Sequence, residues 1–323
     1  MSGDGGSGRL HDCIVCGTCV VDVLVRPVPL AAPIGGGRLF HTEPIRVTTG
    51  GLVCNAGIAL RRLGMRVAAA SLVGADLWGD TIRARMTAEG VDASAIESRS
   101  SLATSSTAVL IDESGERSFA HHVGAASALD VAFLERHLAA FAASRYAIVG
   151  YVGLLPALEP ALAEALAAIR AAGCITVLET GGSGGTLATV APALPHVDVY
   201  VPSLDEAVHQ TGLVDPAAII AAYRAAGAHG IVGVKLGSRG VLLAAADGSP
   251  EAIPCVPAPG AVADTTGAGD SFLGGLVAGL ARGMPLREAG LLGAATAACC
   301  VTALGATAGL RSFAETMALV PRA

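Results

Sequence analysis

The chain has 323 residues, 52 % hydrophobic and 15 % charged, which excludes a disordered chain and supplies enough apolar material for one large α/β domain or two ordinary ones. Net charge is −6, with no basic run and no aromatic–basic interleaving. That argues against a nucleic-acid groove, and acidic metabolites must be held locally, by helix ends, main-chain N–H groups or a cation.

Met1 to Gly8 is Gly/Ser-rich and expected to fray. The apolar run that follows is short, is interrupted by Asp22 and lacks a basic leader, so it is read as neither a signal peptide nor a membrane span. It is read instead as a strand, Asp12 to Val21. Side chains alternate faces along a strand, so Cys13 and Cys19 face one way and Cys16 the other, and the three cannot share an ion. Small buried thiols in a reducing cytoplasm account better for the eight cysteines.

A Pro/Gly-rich stretch with short extended pieces follows at 25–49. Helical spacing runs from Asn55 to Leu63, a strand from Arg66 to Leu72, and a helix from Asp80 to Glu89. Leu102–Asp112 and Arg117–Val123 form a hairpin around the turn cluster Glu113-Ser114-Gly115-Glu116. From Asp130 strands and helices alternate regularly, with strands at 146–151, 174–179, 197–201, 231–236 and 241–246. Helices fill 130–140, 157–172, 205–211 and 216–226, and two long ones close the chain, Gly269–Arg282 and Leu286–Leu304. Such alternation predicts a doubly wound, mainly parallel sheet with helices on both faces. The segments near 25–49 and 102–123 do not fit it and are expected to form a small β lid. No internal repeat or linker divides residues 1–323, so one domain with a lid is expected.

The segment richest in chemistry is Asp264-Thr-Thr-Gly267-Ala268-Gly269-Asp270-Ser-Phe272, a small glycine-rich turn opening into an apolar helix. The first N–H groups of a helix lack internal partners, the helix dipole adds positive potential, and glycine lets the backbone approach an anion closely. Together they make a phosphate site. Asp270 in that turn has two readings: a base for an attacking hydroxyl, or a helix cap.

This segment resembles the C-terminal signature of the ribokinase-like, or PfkB-type, carbohydrate kinases. The resemblance implies ATP-dependent phosphorylation of a hydroxymethyl group, with Asp270 as base and Gly267, Ala268 and Gly269 as anion hole. Gly50-Gly51-Leu-Val-Cys-Asn55-Ala-Gly-Ile-Ala-Leu-Arg-Arg-Leu-Gly64 is similar to the family's N-terminal signature, where Gly50, Gly51 and Asn55 would contact substrate hydroxyls. Taken alone, the glycine pair is a turn before a helix. Asp22 matches the family's substrate-binding aspartate; without that match it is an ordinary strand-end acid. Val73-Gly74-Ala-Asp76-Leu-Trp-Gly79-Asp80 is similar to a structural turn near the substrate.

On the nucleotide side, Lys235-Leu-Gly237-Ser-Arg-Gly240 resembles the hairpin under ATP, although a solvated lysine at a strand end is an equal reading. Gly305-Ala306 resembles a loop closing around adenine and, in many members, around a monovalent cation such as K⁺, for which Asp264 is the candidate ligand. Two departures stand out. Ser203 replaces the family asparagine in Pro202-Ser203-Leu-Asp205-Glu206, while Glu206 still matches the acid that orients Mg²⁺ through water. Glu179-Thr-Gly-Gly-Ser-Gly-Gly185 stands where many members carry an Asp-containing segment, and its glycines suggest a mobile loop. No Arg/Lys cluster marks a second phosphate site, so an unphosphorylated sugar is expected. One of His121 and His122, with Phe119 nearby, could hydrogen-bond a sugar or stack on a base, which keeps a nucleoside as the alternative, and Ser203 motivates a non-catalytic binding protein as a further one. Lids pair in the family, which implies a homodimer. No nucleic-acid or membrane partner is expected.

Overall fold

The computed structural model describes residues 8–31, 35–181 and 184–321. The N-terminal residues expected to fray and part of the glycine loop after Glu179 lie outside them. Thirteen strands occur among the described residues: β1 His11–Gly17, β2 Val20–Val25, β3 Arg46–Gly50, β4 Val67–Gly74, β5 Asp92–Arg99, β6 Ser106–Ile111, β7 Arg117–His122, β8 Ser144–Gly150, β9 Ile175–Glu179, β10 Val199–Tyr200, β11 Ile231–Lys235, β12 Val241–Ala244 and β13 Glu251–Ile253. Nine form one sheet in the order β13-β12-β11-β10-β9-β8-β1-β4-β5. It is parallel from β11 to β5, and β12 and β13 add an antiparallel edge.

Residue alternation builds the two covered faces. In β1, Cys13 and Val15 pack with the helices Gly51–Arg62, Ala268–Ala281 and Leu286–Cys300. Ile14 and Cys16 pack on the opposite layer with Phe133, Leu166 and Ile219. Cys19 joins the Cys13 side as well, although it lies in the connection between β1 and β2 where strand alternation does not run.

The expected opening strand 12–21 is in fact two strands in two sheets. Gly17 has φ +145°, and a Cβ there would lie 2.2 Å from the Gly150 carbonyl oxygen. The chain therefore turns at Gly17, and β2 leaves the main sheet for the lid. The lid is a four-stranded sheet, β3-β2-β6-β7, so it begins at Val20 and residues 26–45 contribute no strand to it among those described. Its hairpin turn is set by Asp112, whose carboxylate accepts from the N–H groups of Ser114 (2.8 Å) and Glu116 (2.9 Å). Leu24, Val109 and Ile111 of the lid pack with Leu304, in the loop after the long helix that ends at Cys300, not at Leu304. The edge strands β5 and β13 escape the sequence reading because edges lack the continuous apolar run of interior parallel strands. The expected helix 130–140 breaks at His137 into Val131–Arg136 and Leu138–Ala142. Among the described residues no helix is long and apolar enough to cross a membrane.

Candidate active site

The carboxyl ends of β1, β8, β9, β10 and β11 face the start of the helix Ala268–Ala281, where ligands of open α/β sheets bind. Gly267 caps that helix in the left-handed region, φ +76°, and a Cβ there would meet the Ala306 Cβ at 2.5 Å. The turn thus admits only glycine without strain. A Cβ on Gly269 would lie 3.3 Å from the Lys235 ammonium nitrogen, so the lysine stands beside the free helix N–H groups.

Asp270 is buried, 3 % exposed. One of its oxygens, Oδ2, accepts from Asn55 Nδ2 (2.8 Å) and from the Tyr151 hydroxyl (2.7 Å). Neither donor uses Oδ1. Burial pushes this carboxyl above its usual range, while Asn55, Tyr151 and Lys235 pull it back toward ionisation. Asn55 Oδ1 is buried and has no partner. Tyr151 has φ +61°, the one positive φ outside glycine among the described residues, and this backbone aims its ring from the end of β8 at Asp270. Sequence reasoning missed Tyr151, because a left-handed tyrosine has no local signature.

Two cavities meet at this point. The smaller, about 170 Å³, lies under the lid and is lined by Asp22, Asn55, Gly51, Thr107, His121 and Tyr151, among others. A Cβ on Gly50 would fall 2.2 Å from an Asp22 oxygen, so Gly50 makes room for that carboxylate without lining the cavity. Gly51, φ +78°, passes equally close to the Thr18 carbonyl. Burial raises the Asp22 carboxyl, with Asp264 adding to the effect and a Thr107 hydrogen bond opposing it. His121 Nδ1 bonds the Thr107 hydroxyl (3.0 Å).

The larger cavity, about 350 Å³, is lined by Gly267, Gly269, Asp270, Lys235, Gly237 and Glu206, with Tyr151 shared between the two. Lys235 is not a solvated lysine. Its side chain is 12 % exposed and donates to Glu179 at 2.8 Å. Burial lifts the Glu179 carboxyl to about 7, with Glu206 and Asp270 adding to the rise and Lys235 opposing it. Burial also works against the charge on Lys235, but Glu179, Glu206 and Asp270 outweigh it and raise its pKa. Glu179 was legible only as the start of a glycine loop.

Gly240 and Gly305 lie elsewhere than the resemblance implies, and Glu206 lies where it implies but with a second, structural role. Gly240 lines neither cavity; a Cβ there would strike the Ile253 carbonyl at 2.1 Å, so it serves the β12–β13 pairing. Gly305 lines the smaller cavity, not the larger one with Lys235 and Gly237, and donates its N–H to Asp264 Oδ2 (2.9 Å). Glu206 sits in the larger cavity, yet Ser203 and Glu206 form a capping box: Glu206 Oε2 accepts from Ser203 N (2.7 Å) and Ser203 Oγ from Glu206 N (3.3 Å). The Ser-x-x-Glu spacing carried that signal. The serine that stands in place of the family asparagine therefore has a structural use, which keeps Glu206 oriented. Among the described residues no group of three or more His, Cys, Asp or Glu side chains could hold a metal by itself. The donor set fits Mg²⁺ that keeps its waters and arrives with phosphates. Asp76 caps the helix Leu77–Ala88 and also binds Thr104, so the turn expected near the substrate ties that helix to the entry of the lid.

Residues 11–312 match the pfkB family of carbohydrate kinases. A ribokinase of Haemophilus influenzae is 30 % identical over 296 residues, 89 % of this chain and 92 % of the relative. A fructokinase of Salmonella typhimurium is 28 % identical over 284 residues, 84 % of this chain and 85 % of the relative. The structure of Arabidopsis thaliana ribokinase complexed with ribose and ATP superposes with a TM-score of 0.84 at 21 % identity, covering 97 % of this chain and 99 % of that one.

Proposed function

The chain belongs to the pfkB family of carbohydrate kinases, and from that premise we propose that it transfers the γ-phosphoryl group of ATP to a hydroxymethyl group of a small unphosphorylated sugar. The observation that carries this is Asp270 in the larger cavity, with one oxygen anchored by Asn55 and Tyr151, which line the smaller cavity, and the other left for a substrate hydroxyl. Asp270 Oδ1 takes the proton as the hydroxyl attacks. The N–H groups from Gly267 to Gly269 and the Lys235 ammonium face the charge that develops on the phosphoryl oxygens. As that charge arrives, Lys235 moves partnership from Glu179 to phosphate. Glu206, which lines the larger cavity, would hold Mg²⁺ through the ion's waters, and the ion would supply charge neutralisation to the phosphates.

On the sugar side, Asp22 can accept from two adjacent hydroxyls, and the unpartnered Asn55 Oδ1 from a third. Among the described residues no arginine or lysine lines the small cavity, which supports an unphosphorylated substrate. Its volume of about 170 Å³ also favours a single ring over a nucleoside, since a cavity of about 150 Å³ takes one six-membered ring. We read residues 1–323 as one kinase domain, and its eight free thiols support a cytoplasmic setting. The apolar side chains exposed on the lid strands, Val47 and Phe119, support a homodimer through the lid.

Measuring Mg²⁺-dependent ATP consumption across pentoses, hexoses, sugar acids and nucleosides tests the reading. Turnover with a monosaccharide is expected. Turnover confined to nucleosides would move the assignment to the alternative substrate, and binding without turnover to any of them would identify a non-catalytic binding protein.

A further inference from the structure

The resemblance to cation-stimulated kinases makes Asp264 the candidate ligand for K⁺, and the groups around it do not fit such an ion. Hard cations are held by oxygen donors. Asp264 is instead met by hydrogen donors on both oxygens. Oδ1 accepts from the Thr266 N–H (2.7 Å) and pairs with Arg117 Nη1 (2.9 Å), and Oδ2 accepts from the Gly305 N–H (2.9 Å). The same Arg117 nitrogen donates to the Thr266 hydroxyl (3.1 Å). Both partners are withdrawn from water, with side chains 17 % and 4 % exposed. A positive guanidinium in contact with Asp264 would repel a second cation.

We propose that Arg117 is the built-in cation of this enzyme, carried by the lid, so that turnover needs no monovalent ion. Arg117 opens β7, whereas Asp264 and Thr266 open the turn that runs through Gly267 to Asp270. The pair therefore ties the lid to the anion hole. Gly305, which shares Asp264, follows Leu304, on which the lid's apolar face already packs. When the lid shifts, the charge that orients the turn shifts with it. Arg117 acts through Asp264 and is a positioning residue.

The inference rests on the kinase reading for its kinetic arm and stands without it for its thermal arm. Turnover and melting temperature are measured for the wild type, Arg117→Ala and Arg117→Lys, in KCl and in tetramethylammonium chloride at equal ionic strength. The wild type is expected to show equal rates and equal melting temperatures in the two salts. Arg117→Ala should lose roughly tenfold or more in turnover in tetramethylammonium and recover part of it in KCl or with added guanidinium ion, because a buried charge-assisted bond is missing. Its melting temperature should rise in KCl even without nucleotide or sugar. Arg117→Lys should stay indifferent to K⁺. Stimulation or thermal stabilisation of the wild type by K⁺ would overturn the proposal. So would an Arg117→Ala protein that matches the wild type in both salts. If Arg117→Ala does not fold, the wild type and Arg117→Lys decide between the outcomes. Absence of turnover on the whole substrate panel would fail the kinase reading alone and leave the thermal comparison to judge Arg117.

Discussion

The helix cap is Gly267, so replacing Asp270 by Asn separates a base from a carboxylate that only holds Asn55 and Tyr151 in place. Both donors to this carboxylate, Asn55 at 2.8 Å and Tyr151 at 2.7 Å, use Oδ2. The amide oxygen of asparagine can take that position and keep both bonds. The amide nitrogen then stands where Oδ1 faced the substrate, and it cannot accept a proton. Gly267 caps the helix Ala268–Ala281 and no side chain makes a cap bond, so the helix keeps its start. The expected loss in turnover is roughly 10² to 10⁴, or about 3–5 kcal/mol of transition-state stabilisation. Stability should move the other way. Burial raises the Asp270 pKa above its unfolded value, so its contribution is full below the unfolded pKa and lost as pH rises through the folded one. A neutral amide escapes that loss, and at neutral pH the Asn protein should melt no lower than the wild type. ATP should bind equally or more tightly, because a negative charge beside the phosphates has gone. The assay is turnover, ATP affinity and melting temperature for both proteins on the sugar identified above. A variant keeping more than about a tenth of wild-type turnover would refute the base assignment. A rate loss that merely tracks a lower melting temperature would favour a purely structural carboxylate.

Three further outcomes are expected. Tyr151→Phe removes a bond that holds the Asp270 carboxyl down, so the acidic limb of the kcat–pH profile should move to higher pH and kcat should fall by roughly tenfold or more; an unmoved limb would detach Tyr151 from the base. Gly267→Ala forces φ +76° on a residue whose Cβ would crowd Ala306, costing about 1–2 kcal/mol for the backbone alone and displacing the anion hole; unchanged melting temperature and ATP affinity would show that the turn tolerates a side chain. Glu179 is lifted from 4.5 to about 7, so its contribution to stability is full below about pH 4.5 and lost as pH rises through about 7, a total near 3 kcal/mol. Glu179→Gln lacks that loss, and its melting temperature should gain on the wild type between pH 5 and 8; a gap independent of pH would contradict the raised carboxyl.

What the sequence determined by itself was local. The turn from Asp264 to Asp270 was readable because a glycine-rich turn and the helix it opens are neighbours along the chain, and a helix N-terminus is an anion site wherever it lies. Strand–helix alternation set the doubly wound sheet, and two-residue periodicity sent Cys13 and Cys16 to opposite layers before any contact was known. The Ser203–Glu206 capping box was equally local and was overlooked in favour of the metal reading. Tertiary structure alone decided the rest. Asn55 and Tyr151 reach Asp270 across 215 and 119 residues, and Lys235 meets Glu179 across 56. Arg117 looks like a hairpin residue until the lid folds over Asp264. The break at Gly17, which moves β2 from one sheet to the other, depends on how near the Gly150 carbonyl comes. Propensity and periodicity report which face a residue presents. Which partner waits there, and so which carboxylate is anchored, paired or left free to take a proton, is set by distances that exist only once distant strands lie side by side.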